Sequence, residues 1–216
     1  MENSREGERI LRHLAITEPS PWVNRFAPLI VAAARDRGPV LDLACGNGRH
    51  ARRLLALGCG VVAVDRNVEP VMDLAADAAV EVVEADLETA APVFSEGGPL
   101  AGRAFPAIVV VNYLYRPLFP ALLDAIEPDG VLVYETFARG NERFTRPRNP
   151  DHLLCSGELL DLARDGMQVV AYEHGLIETG PLPGVIQRIC AIKDPGTGER
   201  EDGEPPPWPV QPKMDV

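Results

Sequence analysis

Val40-Leu41-Asp42-Leu43-Ala44-Cys45-Gly46-Asn47-Gly48-Arg49-His50 passes from a short apolar run through an acid and two glycines into a segment with helical spacing. An apolar run of this length, rich in Val and Leu, predicts a buried parallel strand. Glycines at the following turn let backbone amides approach a ligand where a Cβ would obstruct it. Arg49-His50-Ala51-Arg52-Arg53-Leu54-Leu55-Ala56-Leu57 then has the spacing of a helix, stopped by Gly58. The turn therefore sits at a helix N-terminus, whose first N–H groups have no partner inside the helix and point outward. Strand, glycine turn and helix in that order predict a nucleotide-type ligand docked at the turn.

Gly46-Asn47-Gly48-Arg49-His50-Ala51 also fits the dinucleotide pattern G-x-G-x-x-G/A, so the turn alone leaves nicotinamide cofactors open. Two further apolar segments narrow the choice. Val61-Val62-Ala63-Val64-Asp65 and Val80-Glu81-Val82-Val83-Glu84-Ala85-Asp86-Leu87 each finish in an acid. Asp65, on the strand after the glycine turn, is placed to accept from ribose hydroxyls in either ligand class. Asp86 belongs to no part of the dinucleotide pattern.

In these three segments the chain resembles class I S-adenosylmethionine-dependent methyltransferases. Their first motif, D/E-x-G-x-G-x-G, is met by Asp42, Gly46 and Gly48, with Ala44 standing in the first glycine place. The resemblance implies an α/β fold, a doubly wound, mostly parallel seven-stranded Rossmann-like sheet with an antiparallel C-terminal hairpin, and S-adenosyl-L-methionine as cofactor. It also implies roles: Gly46 and Gly48 leave room for the methionine part, Asp65 holds the ribose, and Asp86 lies near the adenine amino group. Cys45, Asn47, Arg66, Leu87 and Asn112 accompany them as candidate cofactor contacts.

At 216 residues, 46% hydrophobic and 25% charged, the chain can bury one substantial core. A single domain over 1–193 is expected, with an N-terminal helical cap over about 1–37 and a polar, proline-rich tail over 194–216. With 21 basic against 32 acidic residues the formal charge is −11, which opposes non-specific attraction to nucleic acid or an anionic membrane. Cys45, Cys59, Cys155 and Cys190 are scattered, with no C-x-x-C pair, which predicts reduced thiols in a cytoplasmic protein and no metal site. No apolar run approaches the roughly 20 residues that span a bilayer.

Before the first strand, Glu2 to Ala15 carries Ile10, Leu11 and Leu14 at helical spacing and predicts an amphipathic helix able to act as a lid. A second helix follows over Trp22 to Ala34, with Pro28 a potential kink. Segments before the first strand commonly close over the cofactor in methyltransferases of this class, which makes Trp22 and Arg25 candidates for its methionine end. They read equally as a packing residue and a solvated charge. After Asp65, the periodicity of Val68, Val71, Met72 and Ala75 predicts an amphipathic helix. Glu88 to Arg103 reads as a loop or short helix before strand four, Ala107 to Asn112. The class I arrangement brings Tyr113, Tyr115 and Arg116, which follow that strand, to the reaction side.

Pro117 to Ile126 predicts a helix, Glu127-Pro128-Asp129-Gly130 a turn, and Val131 to Phe137 strand five. The loop that follows holds Arg139, Arg143, Arg146 and Arg148 within ten residues of an otherwise acidic chain. Guanidinium groups bind anionic oxygens bidentately, so an anionic or carboxylate-bearing acceptor is one reason for them, and salt bridges to Glu135 and Glu142 are the other. Asn112 to Pro120, Tyr134 to Phe137 and Arg146 to Pro150 are similar to a bacterial branch related to the tellurite-resistance-type methyltransferases. Ser156 to Arg164 predicts a capped helix with Leu159, Leu160 and Ala163 inward, followed by two closing strands over Met167 to His174 and Val185 to Lys193.

Methyl transfer from a sulfonium chiefly requires donor and acceptor to be positioned and water excluded. An acceptor that must lose a proton needs a base, for which Tyr115, Glu135 and His152 are the candidates by chain position. The expectation is methyl transfer to a small-molecule acceptor, with an anionic one included and no nucleic-acid or membrane partner. A nicotinamide-dependent oxidoreductase leaves Asp42 and Asp86 without a role, and a non-catalytic S-adenosylmethionine-binding protein is the third reading.

Overall fold

The computed structural model describes residues 16–89, 93–179, 183–193 and 207–214. The expected amphipathic helix over residues 2–15, and most of the tail, lie outside these described residues.

The strands are β1 (Val40–Leu43), β2 (Val61–Asp65), β3 (Val80–Glu84), β4 (Phe105–Val111), β5 (Ile126–Phe137), β6 (Met167–Ile177) and β7 (Gly184–Lys193). They form one seven-stranded sheet in the order β3-β2-β1-β4-β5-β7-β6. β3, β2, β1, β4 and β5 run parallel, and β7 pairs antiparallel with both β5 and β6. This is the expected doubly wound sheet with its antiparallel close. Alternate residues supply two buried faces: Leu41, Leu43, Ile108 and Val110 on one, Val40, Ala63, Val109 and Val133 on the other. Continuous apolar strands follow from burial on both faces.

Helices α1 (Pro21–Ala34) and α2 (Arg49–Ala56) pack into the second face, while α3 (Phe119–Asp124) and α4 (Glu158–Ala163) serve the first. Pro28 lies inside α1 without ending it. The Ser20 hydroxyl caps α1 by accepting from the Trp22 amide at 3.0 Å.

Three sequence expectations need correction. Residues Glu69–Ala76 form a 3-10 helix, not an α-helix. Its three-residue turn brings Val68, Val71 and Leu74 inward and leaves Met72 and Ala75 exposed. Leu160 points out of α4, and no Ser156 side chain caps that helix, since Gly157 occupies the cap position and Glu158 reaches back to accept from the Cys155 amide at 2.7 Å. The Glu127-Pro128-Asp129-Gly130 turn lies within β5, where the pairing with β4 shifts from Phe105–Ile126 to Ala107–Val131.

Candidate functional site

The carboxyl ends of β1 to β5 are stitched into one edge by backbone bonds: Cys45 N–H to Val64 O, Ala85 N–H to Asp65 O, and Asn112 N–H to Glu135 O. These bonds bring together acids that lie far apart in sequence.

The glycine turn divides its labour. Gly46, at φ +58°, has open space where a Cβ would stand, so its surface is free to meet a ligand. At Gly48, φ +72°, a Cβ would lie 2.6 Å from Cγ1 of Val71, so this glycine serves packing against the 3-10 helix. Ala44 takes the left-handed conformation at φ 57°, which explains why its place in the motif suits glycine.

Asp42 is 1% exposed, and its Oδ2 accepts from the Ala51 amide at 2.9 Å. It joins the strand to the first turn of α2 from a buried position. Burial pushes its carboxyl up to about 7, opposed by the Ala51 hydrogen bond and the nearby Arg49. Cys45 is likewise enclosed, and burial raises its thiol.

Asp65 is half-buried; Oδ2 accepts from the Gly46 amide at 2.8 Å and Oδ1 from the Asn67 amide at 3.1 Å. Each oxygen retains a lone pair for a further donor. Asp86 is exposed beyond β3, beside the buried Leu87, and Arg66 is exposed after Asp65. Residues ahead of α1 cross this edge: the Asn47 side-chain amide donates to Ile16 O at 2.8 Å and Arg49 to Glu18 O at 3.0 Å.

Two further residues at this edge were not among the sequence candidates. Arg49 is half-buried with Asp42 and Glu135 as its charged neighbours. His50 is 4% exposed and accepts from the Ser20 amide at 3.2 Å; burial and Arg49 lower its pKa to about 3, so it is neutral. Their position directly after the glycines was the only available signal.

Trp22 and Arg25 both have partners within the protein. Trp22 is 1% exposed and donates from its indole to Ile189 O at 3.1 Å. Arg25 stacks over Trp22 and Phe26 and pairs with Glu173 at 3.0 Å. Arg116 holds both Glu158 oxygens, at 2.6 and 2.9 Å, and the carbonyls of Asp151 and Leu153, at 2.7 and 2.8 Å. So engaged, it has little left for an acceptor.

Glu135 accepts from the Ser20 hydroxyl at 2.9 Å and from Arg188 at 3.3 Å. Tyr113 and Tyr115 are partly buried against the core, whereas His152 is exposed in the single turn Pro150–His152. In the arginine loop, Arg139 pairs with Glu142 at 2.6 Å, while Arg143, Arg146 and Arg148 are exposed. The loop itself is fixed by buried Asn141, whose side-chain amide donates to Thr145 O and Pro147 O.

No protein-family model and no curated protein matches the chain. Solved structures do share its fold. The N-methyltransferase NodS from Bradyrhizobium japonicum WM9, in complex with S-adenosyl-L-homocysteine, is 14% identical at a TM-score of 0.56, covering 85% of this chain and 96% of its own. An S-adenosylmethionine-dependent methyltransferase from Mesorhizobium loti is 18% identical at 0.55, covering 78% of this chain and 98% of its own. The [4+2]-cyclase SpnF is 16% identical at 0.55, covering 80% and 81%.

Proposed function

We propose that the chain is an S-adenosylmethionine-dependent methyltransferase acting on a small-molecule acceptor, within the bacterial branch that the sequence resembles. The observation that carries this reading is the Asp65 carboxylate, bonded to the Gly46 amide beside the open space over that glycine. Ribose hydroxyls suit that carboxylate, the adenine amino group suits the exposed Asp86, and the methionine part suits Gly46, Asn47 and the cationic Arg49. Ala44, Leu87 and Asn112 line the same edge.

When bound, the cofactor supplies an electrophilic methyl group on a sulfonium. The chain's part is to orient the acceptor and exclude water. Tyr115, partly buried against the same core as Tyr113, is a candidate proton acceptor. Glu135, held between Ser20 and Arg188, orients its surroundings or takes a proton from the acceptor. His152, on the exposed loop, is the weakest of the three candidates. A fold shared by a cyclase and by methyltransferases does not name a reaction, so the assignment rests on the site.

S-adenosylhomocysteine should raise the melting temperature while NAD and NADP do not, because a ligand that binds only the folded state stabilises it by mass action. Asp65→Ala should weaken that binding by roughly 1–3 kcal/mol, the scale of a lost hydrogen bond to a charged acceptor, and leave the protein folded. A shift with NAD alone would overturn the reading. Turnover in a screen of acceptors then separates an enzyme from a binding protein. The exposed Arg146 and Arg148 favour anionic acceptors on an acidic surface. Changing each to Gln should leave cofactor affinity intact and reduce turnover of the best anionic acceptor; parental rates on a neutral one would make these arginines irrelevant to the acceptor.

A further inference from the structure

The Tyr113 hydroxyl is buried and has no hydrogen-bond partner among the described residues. An unsatisfied buried hydroxyl is costly, and such groups usually have a partner, so this one asks for an explanation. The phenol is held in place from both ends. Its ring packs against the sheet, and its own carbonyl accepts from the Tyr134 hydroxyl at 2.8 Å. Asn112, at φ 60°, turns the chain out of β4 just before it.

Its surroundings are acidic. Burial raises the Tyr113 pKa most, and Glu88, Asp86 and Asp65 add to the rise, so the group stays a protonated donor. None of those carboxylates bonds it: Asp65 is engaged with Gly46 and Asn67, and Asp86 Oδ1 with the Glu88 amide at 2.9 Å. A buried donor with acids in electrostatic reach is the chemistry that suits a molecule with donors for the acids and an acceptor for the phenol. The other buried unpartnered atoms among the described residues, Asn141 Oδ1 in the turn after β5 and Gln168 Oε1 at the start of the edge strand β6, are acceptors and not donors.

We infer that the Tyr113 hydroxyl is a cofactor-positioning donor, giving its hydrogen bond to an acceptor atom of the adenosyl half of the bound nucleoside, and is not a wall of the acceptor pocket. This rests on the proposed cofactor reading and adds a residue for which no motif speaks. An adenosyl group offers hydroxyl and amino donors for Asp65 and Asp86 and ring or ribose acceptors for Tyr113, so one ligand satisfies both sets.

The test is Tyr113→Phe in the full chain, with two readouts: the melting temperature of the unliganded protein, and calorimetric affinity for S-adenosylhomocysteine, adenosine and homocysteine. The unliganded protein should be as stable as the parent or more so, because an unpaired buried hydroxyl is removed. Affinity for S-adenosylhomocysteine and for adenosine should fall together by about 2- to 12-fold, the range of one neutral hydrogen bond, and homocysteine should be unaffected. If the parent binds S-adenosylhomocysteine and the variant binds it equally well, the inference fails and the cofactor reading stands. A variant that is less stable without ligand, or does not fold, shows that the hydroxyl serves the fold and overturns the inference. A parent that binds neither S-adenosylhomocysteine nor adenosine overturns both.

Discussion

Asp42 shows how one side chain can hold a motif and still be stressed by its place. Its carboxyl accepts from the Ala51 amide at the start of α2, yet it is fully enclosed, and burial raises its pKa from 3.8 to about 7. The raised value fixes the sign. The folded state favours the protonated form, so the contribution to stability is fully present below about pH 4 and is lost as pH rises through 7. Asn keeps an acceptor for Ala51 without a titrating charge. The stability of Asp42→Asn relative to the parent should therefore increase between pH 4 and pH 8 by on the order of 2–4 kcal/mol, measured by urea unfolding at each pH. A difference that stays constant over that range would mean that Asp42 is already ionised without penalty. His50 works in the opposite sense: its pKa falls from 6.5 to about 3, so its contribution is present above pH 6.5 and fades as pH drops toward 3.

At the scale of an element, the turn between β1 and α2 assigns its two glycines different work. Gly48→Ala would bring a methyl group 2.6 Å from Val71 at a positive φ, and should cost about 2–4 kcal/mol of stability, the sum of left-handed strain and overpacking. Gly46→Ala meets no protein atom and should cost only about 1–2 kcal/mol, while S-adenosylhomocysteine affinity falls more steeply than in any variant outside the turn. Equal losses of stability in the two variants would refute this division. The motif made both glycines visible in the sequence but not their difference, because Val71 is brought to Gly48 only by the 3-10 helix that follows β2. The strands were legible for a related reason: runs such as Val61 to Val64 are apolar throughout because both sheet faces are covered. The 3-10 helix was not, since Val68 and Val71 fit a period of three as well as 3.6. Asp65 and Asp86 were legible as strand-end acids, while the contacts of Arg116 and Trp22 within the fold were not. Their partners, Glu158 and Ile189, are distant in sequence, and pairing across such distances leaves no local pattern.

Across the whole molecule, a chain of charges links the far end of the sequence to the candidate site. Val210 O accepts from Arg25 at 2.8 Å, Arg25 pairs with Glu173 at 3.0 Å, and Arg188 bridges Glu173 at 2.5 Å and Glu135 at 3.3 Å. Arg188 also lies 4.7 Å over the Trp22 ring, and Glu135 reaches the Ser20 cap of α1. The sequence marked the tail over 194–216 only as polar and proline-rich. Over residues 207–214 it is draped, with Trp208 packed against the core that α1 shares with the sheet. Ordering this polar, proline-rich segment opposes its conformational entropy, so an apolar anchor must offset that cost, and Trp208 is the large side chain placed to do so. Trp208→Ala should then destabilise the protein by about 1–2 kcal/mol, the value of a half-buried aromatic, which lowers the melting temperature by roughly 2–8 °C for a chain of this size. Among the described residues the tail is bound through Arg25 and Trp208 and not through Asp65 or Gly46, so S-adenosylhomocysteine affinity should stay within about twofold of the parent. A melting temperature equal to the parent's would mean that the docked tail adds nothing to the fold. A large loss of affinity at unchanged stability would mean instead that the ion pairs from Arg25 to Glu135 transmit tail docking to the ligand edge.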